Sequence, residues 1–325
     1  MTDWKSLHGD AFAKARCLIT GGAGFIGSHV VEALSALGAE LIVLDNLAGG
    51  DRENIAPFKH LFIHGSILDR GVIDQAIQGC RYVFHLAALG SVPASVEEPL
   101  KYHDADATGT LNVLLAARDA KVKRVIYSAS SSAYGEKPVL PKVETMQTDP
   151  RSPYAAAKLA GEAYMSAFSA SYGLDTVSLR YFNIFGPRQN PNSAYAAVIA
   201  AFAKAIIGGK APTIFGDGEQ SRDFTFVHNA VHANLLAARH PTPLQGDVLN
   251  VACGQRVSLN QLAPMMASLL GRPDLRPRYA PERAGDVRHS VADLSHIRKT
   301  LSYEPIVGLE KGLDATLRWY REALK

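Results

Sequence analysis

Between Arg16 and Asp175 the chain alternates short, mainly apolar runs with longer stretches whose apolar positions recur every three or four residues. The runs are CLIT (17–20), LIVLD (41–45), LFIHG (61–65), YVFHLA (82–87), RVIYSAS (124–130) and TVSLRYFN (176–183). None alternates strictly between apolar and polar, which predicts strands covered on both faces. Stretches such as IGSHVVEALSALG and TGTLNVLLAARDAK predict helices with one buried stripe. Repeated strand–helix units imply right-handed crossovers and an α/β fold with a doubly wound parallel sheet, placed at residues 1–180. Beyond Asn183, Pro, Gly and Asn crowd FGPRQNPNS and GDGEQSRD, and strand-like runs become sparse. Residues 181–325 are therefore expected to form a smaller mixed α/β substrate-binding domain, interleaved with the first, at the edge where such sheets take ligands.

Composition narrows the chemistry only by exclusion. The 325 residues are 47% hydrophobic and 20% charged, with a formal net charge of +3. No stretch concentrates Lys and Arg densely enough for a nucleic-acid surface. Cys17, Cys80 and Cys253 have no metal-ligand spacing and are expected to be reduced thiols, with no metal site. MTDWKSLHGDAFAKAR lacks the apolar centre of a secretion signal, and no apolar run reaches the ~20 residues of a membrane span. A cytoplasmic protein without membrane partners is expected.

The first strand-to-helix turn, TGGAGFIGSH, carries Gly21, Gly24 and Gly27. That spacing suits a tight turn, a close approach of backbone to a pyrophosphate, and close packing of helix on strand. The following helix offers free N–H groups to an anion. Asp45 closes the second run at the distance where an acid holds an adenosine ribose, and no arginine follows it. This is the dinucleotide fingerprint of a Rossmann fold and favours NAD over NADP. In SPYAAAKLAGEAYMSAF, Tyr154 and Lys158 stand one helical turn apart on one face. A phenol titrates near pH ~10, so a nearby ammonium is what makes it usable as a base.

These segments, with HLAALGSV, SSSAYG, RYFNIFGPRQ and SRDFTFVHNA in order, resemble the extended short-chain dehydrogenase/reductase family over nearly the whole chain. The resemblance implies Tyr154 as catalytic base, tuned by Lys158, with Ser130 sharing the proton shuttle. It implies NAD contacts from Gly21, Gly24, Phe25, Ile26, Gly27, Asp45, Asn46, Leu86, Ala87, Ala88, Tyr154, Lys158 and Tyr181. Dehydratases of the family carry Asp and Glu in the two positions after the first hydroxyl; here Ser131 and Ser132 stand there. Hydroxyls do not remove a carbon-bound proton at useful rates, so elimination is disfavoured and the pattern is similar to the nucleotide-sugar 4-epimerases. Those transfer a hydride reversibly between C4 of a UDP-sugar and tightly bound NAD, through a transient 4-keto sugar.

RYFNIFGPRQNPNSAYAAVI is most similar to the bacterial UDP-N-acetylglucosamine 4-epimerases. By that likeness Gly90, Ser91, Ser131, Ser132, Asn183, Gln189, Ala197, Val198 and Ser290 line the sugar pocket. Arg222 and Arg283 meet the diphosphate, and Asp286 holds the uridine ribose. Ser290 stands where some relatives restricted to non-acetylated sugars have tyrosine, which leaves room for a 2-N-acetyl group. The expected activity is interconversion of UDP-GlcNAc and UDP-GalNAc, with UDP-Glc and UDP-Gal as a slower pair, in a homodimer built on segments 100–120 and 154–172. Two departures weaken the expected hold on NAD. Ser66 replaces an adenine-contacting Asp, and Asp106 replaces an Asn close to the cofactor. Two alternatives stay open: a UDP-glucuronate 4-epimerase with His289 or Arg188 on the carboxylate, and a non-catalytic regulator sensing NAD.

Overall fold

The computed structural model describes residues 2–190, 198–282 and 288–324. Seven parallel strands form the main sheet: β1 (Arg16–Thr20), β2 (Glu40–Asp45), β3 (Leu61–His64), β4 (Tyr82–His85), β5 (Arg124–Ser130), β6 (Thr176–Tyr181) and β7 (Asp247–Val251). Their spatial order is β7-β6-β5-β4-β1-β2-β3. Successive residues of one strand enter different cores: Ile19, Phe84 and Ile126 belong to one cluster, Leu18, Val83 and Val125 to another. Burial on both faces is why these runs read as continuously apolar; β3 departs from that expectation, being an edge strand with no buried residue.

The helices that matter for the site are α1 (Phe25–Ala36), α2 (Arg70–Ala76), α3 (Gly109–Asp119), α4 (Pro153–Tyr172), α5 (Val198–Ile207), α6 (Val227–Arg239), α7 (Leu259–Leu269) and α8 (Leu309–Ala323). Residues of α1 and α6 fill the first core, and residues of α2, α3 and α4 fill the second. A third cluster joins Phe202 and Ile206 of α5, Leu262 and Met266 of α7, and Leu313 and Leu317 of α8 beside Phe185 and Phe226. Strand β7 is absent from the apolar runs read in the sequence. Its Asn250 is fully buried, with Tyr134 Oη donating to Oδ1 at 2.6 Å and Nδ2 donating to the Lys142 carbonyl at 2.9 Å. A polar residue satisfied by distant partners breaks the apolar pattern without breaking the strand.

The segment before β1 packs onto the first core through Trp4 and Phe12 and encloses a histidine cluster. His8 Nε2 lies 3.1 Å from His232 Nδ1, and the rings of His29 and His228 are 5.4 Å apart. Burial lowers His8 to about 3 and His228 and His232 to about 4. The unfolded chain takes up these protons near pH ~6.5, whereas the folded protein refuses them until far lower pH. Stability from the cluster is complete above that range and is lost as pH falls through it, by about 1.4 kcal/mol per pH unit for each proton withheld. Asp223, raised by burial to about 6, acts in the opposite direction. We expect thermal-unfolding curves between pH ~6.5 and ~4 to fall more steeply for the native sequence than for a His8→Gln/His232→Gln double variant. Parallel curves would remove the cluster from the cause of acid lability.

Candidate active site

Strand order reverses between β1 and β4, which opens a crevice at the carboxyl ends of the sheet. Gly21 follows β1 with φ +69°, and a Cβ there would stand 2.6 Å from the Ala87 nitrogen, in the loop after β4. A Cβ at Gly27 would stand 2.1 Å from the Gly21 carbonyl oxygen, so only glycine lets α1 approach the turn. Gly24 caps α1 through its extended backbone and places no side chain over the first turn, and Gly24, Phe25, Ile26 and Gly27 line the crevice. Asp45, at the end of β2, accepts from Ala23 N at 2.9 Å and Leu47 N at 2.8 Å. One carboxylate thereby joins the glycine turn to the neighbouring strand end. Beneath the turn runs a chain that sequence reasoning missed. Thr20 Oγ1 lies 2.7 Å from His85 Nδ1, and His85 Nε2 lies 3.0 Å from Thr110 Oγ1. Thr20 Oγ1 also accepts from Ala87 N at 3.3 Å. Thr20 and His85 meet because β1 and β4 are neighbours, and Thr110 joins them from α3, so no local pattern announces the three.

The wall opposite the glycines is built by β5 and α4. Ser152 caps α4 by accepting from Ala155 N at 3.2 Å, and Pro153 opens it. That start fixes Tyr154 and Lys158 on the face toward β5. A Cβ at Gly161 would meet Tyr127 Oη at 2.3 Å, so glycine sets how tightly α4 lies on the strand. Lys158 is 3% exposed, and its Nζ donates to the Ser128 carbonyl at 3.0 Å and sits 5.0 Å from the centre of the Tyr127 ring. Ser130 ends β5, and its Oγ accepts from Ser132 N at 3.2 Å and Ser132 Oγ at 2.9 Å. Burial pushes the Tyr154 phenol up to about 12, against a lowering hydrogen bond from Ser130 and a further rise from Asp106. Burial lowers the Lys158 ammonium, while Asp106 and Glu162 hold it up. Glu162 itself forms a two-pronged buried pair with Arg180, at 2.9 and 2.7 Å.

Both walls face one cleft of roughly 2430 Å³. That is more than twice the ~1,000 Å³ upper end of single small-molecule pockets, so two large ligands fit side by side. Among the residues expected to touch NAD, Gly21, Gly24, Phe25, Ile26, Gly27, Asp45, Asn46, Leu86, Ala87, Ala88, Tyr154, Lys158 and Tyr181 all line it. So do Gly90, Ser130, Ser131, Ser132, Asn183, Gln189, Val198, Arg222 and Ser290. Ser91 is not in the lining; its hydroxyl accepts from Ala94 N at 3.2 Å and caps helix Val92–Glu97. A serine followed by Val-Pro-Ala-Ser is itself a helix-start signal, which the pocket reading passed over. Ala197, Arg283 and Asp286 lie outside the described residues. Gln220, Phe215, Lys204 and Lys210, which the sequence reading left aside, line the same cleft as Arg222. The His289 ring shares a hydrogen bond of 2.8 Å with Ser221 Oγ, and Arg188 pairs with Glu32 at 2.5 Å; neither lines the cleft.

A glycine turn at a sheet's switch point, facing a tyrosine–lysine pair across one cleft, defines a dinucleotide-dependent enzyme that moves protons and hydride at a hydroxyl-bearing carbon. Comparison with known proteins gives the family. Residues 17–252 match the NAD dependent epimerase/dehydratase family, and the chain belongs to it. It is 37% identical over 312 residues to a UDP-glucose 4-epimerase of Mycolicibacterium smegmatis, covering 94% of this chain and 98% of the relative. A UDP-N-acetylglucosamine 4-epimerase from Methanobrevibacter ruminantium, solved with UDP-N-acetylmuramic acid, superposes with a TM-score of 0.91 at 41% identity, covering 96% of this chain and 99% of that one. A Thermus thermophilus UDP-glucose 4-epimerase in complex with NAD superposes at 0.86 with 36% identity, covering 95% and 99%.

Proposed function

We propose that the protein is an NAD-dependent UDP-sugar 4-epimerase acting on the UDP-GlcNAc/UDP-GalNAc pair, and more slowly on UDP-Glc/UDP-Gal. The observation that carries this reading is the hydroxyl-only strand end: Ser130, Ser131 and Ser132 share the cleft with Tyr154 and Lys158. Without an acid at 131 or 132, the cleft supports exchange at one carbon rather than removal of water across two. The glycine cradle, which a Cβ at Gly21 or Gly27 would fill, fits a dinucleotide pyrophosphate. NAD, when bound, supplies a reversible hydride acceptor at C4 of the sugar.

Tyr154 as phenolate takes the proton of the 4-hydroxyl and returns it after the ring has turned over. Lys158, held by the Ser128 carbonyl, favours the phenolate electrostatically. Ser130 donates its one hydroxyl hydrogen to the phenolate before proton transfer and to the 4-keto oxygen afterwards, while Ser132, donating to Ser130 Oγ, holds that hydroxyl in place. Since the sugar has to rotate, binding energy comes from the diphosphate and uridine end, where Arg222, Gln220 and Phe215 line the cleft. Residues 181–325 form this sugar-nucleotide side, interleaved with the sheet through α6 and β7. Two of the described cations that line the cleft already have partners. Lys142 donates to the Lys137 carbonyl, and Arg151 pairs with Asp149 at 2.9 Å. His289 and Arg188, the partners expected for a hexuronate carboxylate, lie outside the lining, which supports a neutral sugar over a hexuronate.

Purified protein incubated separately with UDP-GlcNAc, UDP-Glc and UDP-glucuronate, with no added NAD, tests the reading by chromatography of the sugars. Conversion of the acetylated sugar at the highest rate is expected; exclusive conversion of UDP-glucuronate would overturn it. Ser290, half-buried at the cleft wall, donates its backbone N–H to the Ser221 carbonyl at 3.0 Å. Ser290→Tyr is expected to lower kcat/KM for UDP-GlcNAc by at least about tenfold more than for UDP-Glc, a difference of about 1.4 kcal/mol. Equal losses on both sugars would defeat the role assigned to Ser290.

A homodimer in the cytoplasm completes the proposal. Leu100 is 77% exposed and Tyr172 55% exposed, on the segments expected to pair, and the three cysteines are free. No described helix is long and apolar enough to cross a membrane. Light scattering that gives twice the chain mass is the expected result.

A further inference from the structure

Between Pro99–His103 and α3 the chain makes one π-helical turn, Asp104–Thr108, and that turn carries Asp106 inward. Asp106 is 0% exposed. Its Oδ1 accepts from Leu89 N at 2.8 Å, in the loop after β4, while its Oδ2 is buried with no hydrogen-bond partner among the described residues. An orphaned carboxylate oxygen in a protein interior is costly unless a charge compensates it. Burial accordingly raises the Asp106 carboxyl, and the charge that opposes this is the Lys158 ammonium, which donates to the neutral Ser128 carbonyl and makes no direct ion pair with Asp106. A buried ammonium has the mirror problem, so each group supplies what the other lacks.

We infer that Asp106 is a positioning residue: its carboxylate serves Lys158 as counter-charge and, through Lys158 and Tyr154, sets the pH range in which that pair works. The inference rests on the tyrosine–lysine reading of the site. Asp106 acts electrostatically on Lys158 and Tyr154 of α4 and on Tyr127 of β5, and the Tyr102 ring lies 6.5 Å from that of Tyr154. Glu162 acts on Lys158 from the next turn of α4, and His85 lies beyond Thr110, whose hydroxyl donates to the Asp106 carbonyl at 2.6 Å. His103 and Asp104 belong to its own stretch of chain.

A negative charge here has one sign of effect on both partners. It makes the phenolate harder to form and the ammonium harder to lose, so it moves both limbs of the activity profile to higher pH. An asparagine at this position, as the family resemblance leads one to expect, keeps the Oδ1 acceptor for Leu89 and removes the charge. The Lys158 ammonium, which lowers the carboxyl against burial, also offsets part of the repulsion that a pyrophosphate would meet from Asp106.

The test compares the native sequence with Asp106→Asn and, as a second charge-free side chain, Asp106→Ser. The bell-shaped dependence of kcat/KM on pH is expected to move to lower pH as a whole, by about one unit, in both variants. A second readout does not depend on turnover. Tyrosinate absorbance of the sugar-free holoenzyme is titrated, with the same titration of Tyr154→Phe subtracted, in each Asp106 background. The Tyr154 step is expected to move downward with the profile. A lower rate with both limbs and the Tyr154 step unmoved would assign Asp106 to packing alone and overturn the inference. If the native protein converts no UDP-sugar, the absorbance titration still reads the Asp106 effect, so failure of the substrate reading is separable from failure of this one.

Discussion

Tyr154→Phe is expected to abolish sugar inversion, with a loss of at least ~10²–10⁴-fold, the range that a positioned general base contributes. The substitution removes one oxygen and little else. The ring still packs edge-on against Tyr102 at 6.5 Å, and Lys158 keeps its bond to the Ser128 carbonyl. Ser130 loses its partner in the proton path but remains held by Ser132. Circular dichroism and cofactor content should therefore match the native protein while product formation disappears. Retention of more than about a tenth of the rate would show that another group takes the 4-hydroxyl proton, and the assignment of Tyr154 would fail.

Gly21→Ala is the second large effect, and it acts on cofactor retention. At φ +69° an alanine is strained by about 1–2 kcal/mol, and its Cβ would collide with the Ala87 nitrogen at 2.6 Å and Cα at 2.7 Å. Relief requires the loop after β4 to move, and Leu86, Ala87 and Ala88 of that loop wall the cleft. Gly38 supplies the control. Its φ is +73°, yet a Cβ there meets nothing within 4 Å. Alanine at 38 therefore carries the backbone strain without the collision. NAD released from purified, denatured protein should fall by more than about tenfold in the variant at 21 and stay near the native amount in the variant at 38. Equal cofactor content in both would mean that the turn does not hold the pyrophosphate.

The contrast between these two glycines shows where sequence is informative. Gly21 stands in a spaced triplet after an apolar run, and the spacing itself carries the geometry. Five of the six apolar runs found their strands for the same reason: a central parallel strand buried on both faces has one composition available to it, whereas β3 is an edge strand with no buried residue. β7 was not legible because Asn250 is satisfied by Tyr134 and the Lys142 carbonyl, which lie more than a hundred residues away in the chain. The Thr20–His85–Thr110 chain was hidden likewise, since three separated positions meet only once the strand order is known. In the site, Tyr154 and Lys158 were legible because a helix places residues four apart on one face. The π turn at Asp104–Thr108 obeys no such period, so the inward aim of Asp106 appears only in the fold. Ser91 was drawn to the pocket by its position in a matching segment, whereas its hydroxyl caps a helix.

The central claim is that a hydride leaves C4 of the sugar and returns to the same carbon without exchange with water. UDP-GlcNAc carrying deuterium at C4, incubated with the purified holoenzyme in ordinary water, tests this most directly. The account predicts UDP-GalNAc with the deuterium still at C4, formed without added NAD. Product in which C4 carries solvent hydrogen would contradict it.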